Sequence, residues 1–557
     1  MLYRELVKIY EKLESTTKRL EKTDIIAEFL KHVKEDDLKH IIYLLEGRVF
    51  PEWDERKIGI SSQLIIKAIS TATGSSTSEV ENQWKHLGDL GLVAENLVSK
   101  KSQRTLFTHD LTIKKIIENI IKICELEGLG TVSKKVSLVA ELLTSSNPSE
   151  AKYITRTVLE DLRVGVASGI LRDSIAKAYS QDVKDIEHAY NTLVDYGEVA
   201  LLAKNNKLKQ AGITPGRPIK SMLSILVKNV EEAFDYLGKP AQLEFKLDGF
   251  RAQIHKFNHK IIIFTRRLEE VTSQFPDVVE VVKKHVRGDN FILDTEIVGY
   301  NKKRDMYLPF QNISQRIKRK YDIEQMAKKF PVELNIFDII YYNNKSLGDK
   351  TLKERRALLE EIVKKKKGTC ILTKKLVTSN VKQANRFFKD AKKHGTEGVM
   401  IKNLSSIYRP GRYVEGWCKL KSTLEPLDLV IIGAEYGTGK RAGSLTSYVL
   451  ACRHGSKLLE CGMVSTGVKE KSKEGTTYEE ITKKLKPLII KESGRKVKIK
   501  PKIVIEVGYE EIQKSPTYSS GYALRFPRFI QIRSDKSVKD ANTISDIERI
   551  YKAQKRK

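Results

Sequence analysis

The chain has 557 residues, 40% of them hydrophobic and 31% charged, with 101 lysines and arginines against 71 acidic residues and a formal net charge of +30. That length exceeds one compact core and implies about three or four domains. The composition is that of a soluble globular protein, the five dispersed cysteines exclude a disulfide framework or a C-x-x-C zinc finger, and no apolar run is long enough to cross a bilayer. The start of the chain, Met1-Leu2-Tyr3-Arg4-Glu5, lacks the apolar core of a signal peptide, so the expectation is a cytoplasmic, nucleoid-associated protein. A surplus of positive charge this large concentrates polyanions, which favours a nucleic-acid partner over a merely solvated surface.

Residues 1–215 read as helical. Apolar residues recur three and four positions apart over Leu20–Val33, Ile113–Cys124 and Ile154–Tyr179, the last with Val158, Leu162, Val166 and Ile170 along one face. Ser15-Thr16-Thr17 and Thr144-Ser145-Ser146-Asn147-Pro148 punctuate the helices. The pattern changes near Ile213-Thr214-Pro215-Gly216. Over 216–424 short β-branched strands alternate with helices: strands at Gln242–Lys246, Arg251–Phe257, Ile261–Thr265, Phe291–Val298, Val332–Ile340 and Gly398–Lys402, helices at Asp277–Val286 and Leu352–Lys364. After Glu425-Pro426, strands at Leu427–Ala434, Leu445–Arg453 and Ile503–Val507 surround one helical stretch near Tyr478–Ile490, which suits a small β-barrel over 425–557. Lys364–Lys367 reads as a solvated helix end. Gly437-Thr438-Gly439-Lys440-Arg441 fails as a P-loop, because Arg441 stands where serine or threonine is needed and Ala434 where glycine is needed.

The segment Glu244-Phe245-Lys246-Leu247-Asp248-Gly249-Phe250-Arg251 places a lysine at the end of a strand. Neighbouring cations or a metal free a lysine's lone pair for attack. Gly249 allows a tight turn close to a phosphate, and Arg251 can hold an anion. Downstream follow Arg266, the segment Leu293-Asp294-Thr295-Glu296, Phe337, the segment Glu397-Gly398-Val399-Met400-Ile401-Lys402, and Trp417-Cys418-Lys419-Leu420-Lys421. Lys419 and Lys421 alternate along a strand and so share one face.

This order and spacing resemble the successive motifs of the covalent nucleotidyltransferases, and nearly the whole chain resembles the ATP-dependent DNA ligases of the archaeal and eukaryotic replicative type. Tyr43–Arg48 and Asp161–Val166 look like that family's helical DNA-binding domain, and Ser519–Phe529 with Arg533–Lys536 like the last motif of its OB domain. The resemblance implies a multidomain α+β protein: an all-helical DNA-binding domain (1–215), an α+β adenylation domain (216–424) and an OB-fold barrel (425–557). It implies that Lys246 attacks the α-phosphate of ATP, that AMP passes to the 5′-phosphate of a nick in duplex DNA, and that the 3′-hydroxyl displaces it. By the same resemblance Glu244 contacts adenine, Arg251 and Arg266 hold ribose and phosphate, and Phe337 stacks on the base. Lys419 and Lys421 bind the α-phosphate and keep Lys246 neutral by repulsion. Glu296 and Glu397 serve Mg²⁺, with ribose as a second assignment for Glu296. Arg412 is expected on the nucleotide phosphate with Arg409 as the alternative, since the family's second basic residue after Pro-Gly is Tyr413 here. Arg525, Arg528, Arg533 and Lys536 orient the pyrophosphate when the OB domain closes, with Leu424-Glu425-Pro426 as hinge. The implied partners are nicked duplex DNA and a sliding clamp, although no clamp-binding peptide stands out, and the expected state is monomeric.

Three rivals are weighed. An RNA ligase or GTP-using capping enzyme needs no large helical domain. An NAD-dependent ligase usually carries a four-cysteine zinc site that these cysteines cannot supply. A non-catalytic scaffold would have no reason to retain Lys246 and both carboxylates.

Overall fold

Apolar residues at three- and four-residue spacing form twelve α-helices among the described residues between Tyr3 and Lys204, from Tyr3–Glu14 to Tyr196–Lys204. They close around one core that includes Leu6, Tyr10, Ile41, Ile116, Leu142 and Ile154. The computed structural model describes residues 1–100, 110–128, 130–303, 305–308, 310–317, 319, 321–411, 416–421, 425–437, 441, 443–470 and 475–555. Asn147 caps the helix Pro148–Val158 through a reciprocal capping box with Glu150, as the sequence punctuation suggests. The continuous helix expected over Ile154–Tyr179 is instead two, ending at Val158 and restarting at Ser168. Glu160, Arg163 and Gly165 take left-handed φ values of 56°, 60° and 67°, which no α-helix tolerates. Lys22 donates to the Val164 carbonyl in that loop.

The chain divides into two units: Met1–Ile225 with Ala233–Ser379 and Ile401–Cys418, and Leu226–Glu232 with Asn380–Met400 and Lys419–Lys557. The strands in chain order are β1 (Ile225–Val227), β2 (Ala241–Lys246), β3 (Phe250–Phe257), β4 (Lys260–Thr265), β5 (Phe291–Asn301), β6 (Met306–Leu308), β7 (Val332–Tyr342), β8 (Lys345–Ser346), β9 (Cys370–Leu372), β10 (Lys375–Thr378), β11 (Gly398–Asn403) and β12 (Trp417–Lys421). One sheet runs β4-β3-β5-β7-β8 and another β1-β12-β11-β2-β10. In the first, Phe250, Ala252 and Ile254 of β3 and Leu293 and Ile297 of β5 pack into an apolar core with Val278, Val282 and Leu359, from the helices Pro276–His285 and Leu352–Ile362.

The opposite face of β3 is polar, and it holds the segment that leaves the helical region. Gly216 donates its N–H to His255 Nδ1 at 3.1 Å. Gln253 exchanges two bonds with the Ile219 backbone, at 3.0 and 2.6 Å, and Arg251 donates to the Met222 carbonyl at 2.6 Å. The same segment grips the helical region: Arg217 pairs with Glu198 of the helix Tyr196–Lys204 at 2.8 Å, and Lys220 with Glu52 of a loop at 2.6 Å.

In the second unit, strands β13 (Leu427–Tyr436), β14 (Leu445–His454), β15 (Lys457–Val464), β16 (Ile489–Ser493), β17 (Lys496–Ile499), β18 (Val504–Gly508), β19 (Glu511–Lys514), β20 (Tyr522–Arg525) and β21 (Arg528–Ile532) follow. β13 pairs antiparallel with β14, β17 and β18, the branched sheet expected of a small barrel. The helix near Tyr478 ends at Leu485, and Pro487 sits in a 3₁₀ turn that leads directly into β16. No helix among the described residues is long and apolar enough to cross a membrane.

His255 is fully buried, and the loss of water around it pushes its pKa down to about 3. The unfolded chain, with an imidazole pKa of about 6.5, therefore takes up this proton first. The histidine's contribution is complete above that value and falls by about 1.4 kcal/mol per pH unit as pH drops toward about 3. In thermal denaturation between about pH 6.5 and 5, His255→Gln should lose stability less steeply than the wild type. Parallel profiles would show that the histidine is not buried neutral.

Candidate active site

β2 is buried along its length until Lys246, which is half-buried at its last position. Gln242, Glu244 and Lys246 alternate and so share a face of the strand. The turn to β3 is tight, but Gly249 is not left-handed. Its requirement is space: a Cβ there would lie 2.4 Å from the Ile297 carbonyl oxygen of β5. The glycine is thus explained by close packing of β3 on β5, rather than by the phosphate approach expected from the sequence.

Arg251 stands opposite Glu296 in the β3–β5 register. Its guanidinium grips Asp294 bidentately, at 2.9 and 2.6 Å, and Tyr408 donates to the same carboxylate at 2.7 Å. Burial alone would favour loss of the guanidinium proton, but Asp294 outweighs it and holds Arg251 firmly charged. Burial and Asp294 together push the Tyr408 phenol far up, so it remains a donor. Arg251, expected on ribose or phosphate, thus spends much of its hydrogen bonding inside the protein. Arg266 is exposed in the turn after β4.

Phe337 stands at a β-bulge. Asp294 pairs with Asp338 and Thr295 with Ile336, leaving Phe337 as the extra residue of β7. Core residues of β7 accordingly shift parity, from Leu334 and Ile336 to Ile339. Phe337 follows the core residue Ile336 and so faces the polar side by ordinary alternation, where Arg251 lies 5.4 Å and Lys402 Nζ 4.8 Å from its ring centroid. Asp338 is secured by a fully buried bidentate pair with Arg355, at 2.7 and 3.0 Å.

Glu244 is also buried. Its carboxylate accepts from Gln242 Nε2 at 2.7 Å and from Lys402 Nζ at 2.5 Å, with Arg356 Nη1 3.6 Å away. Lys402 Nζ lies 4.2 Å from the ring centroid of Trp417. Both sheets thus supply residues to this cluster: Glu244, Lys402 and Trp417 from one, Arg251 and Phe337 from the other.

In the second unit, Glu397 precedes Gly398, where a Cβ would meet the Leu420 carbonyl at 2.1 Å, so β11 and β12 run in close contact. Lys419 and Lys421 are half-buried on β12. Lys421 pairs with Glu397 at 3.4 Å and Glu510 at 2.7 Å. Burial disfavours its charge, but these carboxylates prevail and raise its pKa. Its repulsive field, expected to act on Lys246, is therefore substantially compensated. Arg533 pairs with Asp428 and Asp535 at 3.0 and 2.7 Å, Lys536 with Asp428 at 2.5 Å, and Arg525 with Glu511 at 3.1 Å. Arg528 is exposed at the start of β21. Arg412, Leu424 of the expected hinge, and Thr438–Lys440 lie outside the described residues, while Arg409 is exposed.

Among the described residues no group of three or more acidic, histidine or cysteine side chains could enclose a metal. Mg²⁺ is commonly bound by one or two carboxylates together with substrate phosphates. Glu296 and Glu397, both half-buried hard donors, fit such a role. Lys402, Trp417, Asp294, Tyr408 and the Asp338–Arg355 pair were not assigned roles from the sequence. Two carry a readable signal: a lysine closing the apolar run Val399-Met400-Ile401, and an acidic residue two positions before Glu296 within an apolar strand.

Known proteins match along the whole chain. Residues 221–421 match the ATP dependent DNA ligase domain, residues 2–176 the DNA ligase N terminus, and residues 441–536 the ATP dependent DNA ligase C terminal region. The DNA ligase of Nanoarchaeum equitans is 47% identical over all of this chain and 99% of that protein. The DNA ligase of Thermococcus fumicolans is 42% identical over the same shares, and that of Archaeoglobus fulgidus 40%. The solved structure Pmar-Lig_PreS3 shares the fold with a TM-score of 0.56 at 18% identity, covering 95% of this chain and 99% of its own.

Removing Asp294 leaves the Arg251 guanidinium buried without its counter-ion, a change that typically costs about 3–5 kcal/mol. Asp294→Ala should therefore lower the denaturation midpoint of the protein markedly. A midpoint equal to the wild type's would show that Asp294 does not anchor this cluster.

Proposed function

Because the chain belongs to the ATP-dependent DNA ligase family, with matching domains along its length and relatives at 40–47% identity, we propose that Lys246 is the residue that becomes adenylylated as the protein seals nicks in duplex DNA. The observation that carries the assignment is the placement of Lys246 at the open end of an otherwise buried strand, on the face that also bears Glu244.

The Lys246 Nζ attacks the α-phosphorus of ATP, forming a P–N bond as the bond to pyrophosphate breaks, and the amine loses its proton. The 5′-phosphate of the nick then takes AMP from the lysine, and the 3′-hydroxyl displaces AMP to close the strand. Each displacement needs alignment and charge neutralisation more than covalent help. Glu244 receives the adenine, Phe337 offers it a stacking face worth about 0.5–1.5 kcal/mol beyond burial, and Arg251 and Arg266 serve ribose and phosphate. Lys419 and Lys421 hold the α-phosphate, Lys421 exchanging a carboxylate partner for it. Arg412 lines the phosphates as well. Glu296 and Glu397 would hold Mg²⁺, which would supply charge neutralisation at the phosphates. Arg525, Arg528, Arg533 and Lys536 meet the pyrophosphate, and doing so requires Arg533 and Lys536 to leave Asp428.

We assign 1–215 to DNA binding, 216–424 to adenylation and 425–557 to the OB domain. Nicked duplex DNA is bound through phosphates by a monomer, with a sliding clamp as a further partner.

Incubation with labelled ATP should label the wild type, and Lys246→Ala should abolish both the label and the sealing of a 5′-phosphorylated nick. Nick binding should persist. Sealing at the wild-type rate by that variant would overturn the assignment. Binding should also weaken steeply with salt, by about three to five orders of magnitude between about 50 and 200 mM if six to ten phosphates are contacted, and be nearly independent of flanking sequence. A salt-insensitive or sequence-selective complex would contradict phosphate-led binding.

A further inference from the structure

Lys402 has no surface role. Its side chain is 1% exposed, and its ammonium lies 2.5 Å from Glu244 Oε2, over the rings of Trp417 and Phe337. A lysine is rarely sealed this deeply, because its ammonium loses water that only a close anion can replace. Here the anion is Glu244, two residues before Lys246 and on the same strand face.

The carboxylate receives more positive charge than it carries. Lys402 holds one oxygen, while Gln242 donates to the other and Arg356 stands 3.6 Å from it. With donors on both oxygens, the carboxylate is arranged as a hydrogen-bond acceptor. An acceptor-only group selects between purines. Adenine offers an amino group at position 6, whereas guanine offers an oxygen there. Phe337 joins the two halves of the arrangement, since the ring offered to the base is also a face on which the Lys402 ammonium rests.

We infer that Lys402 is a specificity-determining residue for the nucleotide: by holding Glu244 as a hydrogen-bond acceptor beside the Phe337 ring, it makes the pocket select a purine that carries an amino group at position 6. This rests on the reading that Lys246 is adenylylated. Lys402 touches no reacting atom; it acts through Glu244 and Phe337, so its loss alters which nucleotide is used and how tightly.

The test measures lysyl-nucleotide formation by the full-length protein with ATP and with purine riboside triphosphate, which lacks only the 6-amino group. The wild type should favour ATP by about 10- to 100-fold in kcat/KM, the range set by one hydrogen bond to a charged group, and mostly through KM. In Lys402→Met, use of ATP should fall until the two nucleotides lie within about threefold of each other. Lys402→Arg, which keeps the cation, should keep the preference. Structural damage alone lowers use of both nucleotides and leaves their ratio intact, so a wild-type ratio in Lys402→Met overturns the inference. Should the methionine variant not fold, Lys402→Gln is read by the same ratio, with the same two outcomes. A wild type that forms no adduct with ATP overturns the adenylylation reading itself, and this inference with it.

Discussion

Strand β3 carries a polar face through the middle of an apolar domain, and every polar group it buries has to find a partner there. Arg251 is the most demanding of them. A guanidinium removed from water is tolerated only with a bidentate anion, and Asp294 on the neighbouring strand provides one. Tyr408 joins the same carboxylate, linking β3 and β5 to the segment that follows β11. Further along the face, Gln253 and His255 are satisfied by the backbone of the segment leaving the helical region. One row of alternate side chains thus organises the Arg251–Asp294 cluster at one end and the connection to the helical region at the other.

That economy explains why much of the fold was legible in the sequence. Strand alternation located β2, β3, β4, β5, β7 and β11 to within a few residues, and the change of pattern near Ile213-Thr214-Pro215-Gly216 marks where the helical core ends. Periodicity failed where the backbone departs from regularity. The run from Ile154 to Tyr179 keeps a helical spacing of apolar residues through a loop that is not helical, because Leu162 and Val164 are buried from the loop itself. The bulge at Phe337 is likewise invisible to a pattern that counts in twos, and it shifts the core side of β7 from Ile336 to Ile339.

The sequence offered candidates but not their surroundings. Of Lys246, Glu244 and Phe337, named by the resemblance, the last two meet at Lys402. The groups around them were missed: Lys402 and Asp294 stand in apolar runs that hint at burial, but a linear sequence does not show what they pair with. Their meaning comes from partners 158 and 43 positions away. The second unit makes a related point. Lys421, Arg533 and Lys536, read from the sequence as free cations for phosphate, already hold carboxylates. Under the proposed assignment, phosphate binding there is an exchange of partners, which limits its net gain.

The account turns on one bond, between phosphorus and the Lys246 amine. Peptide mapping by mass spectrometry, after incubation of the full-length protein with ATP and Mg²⁺ without DNA, reads it directly. The account predicts a single AMP group on the peptide containing Lys246, discharged when nicked DNA is added. An AMP group on any other residue, or one that nicked DNA does not remove, would contradict it.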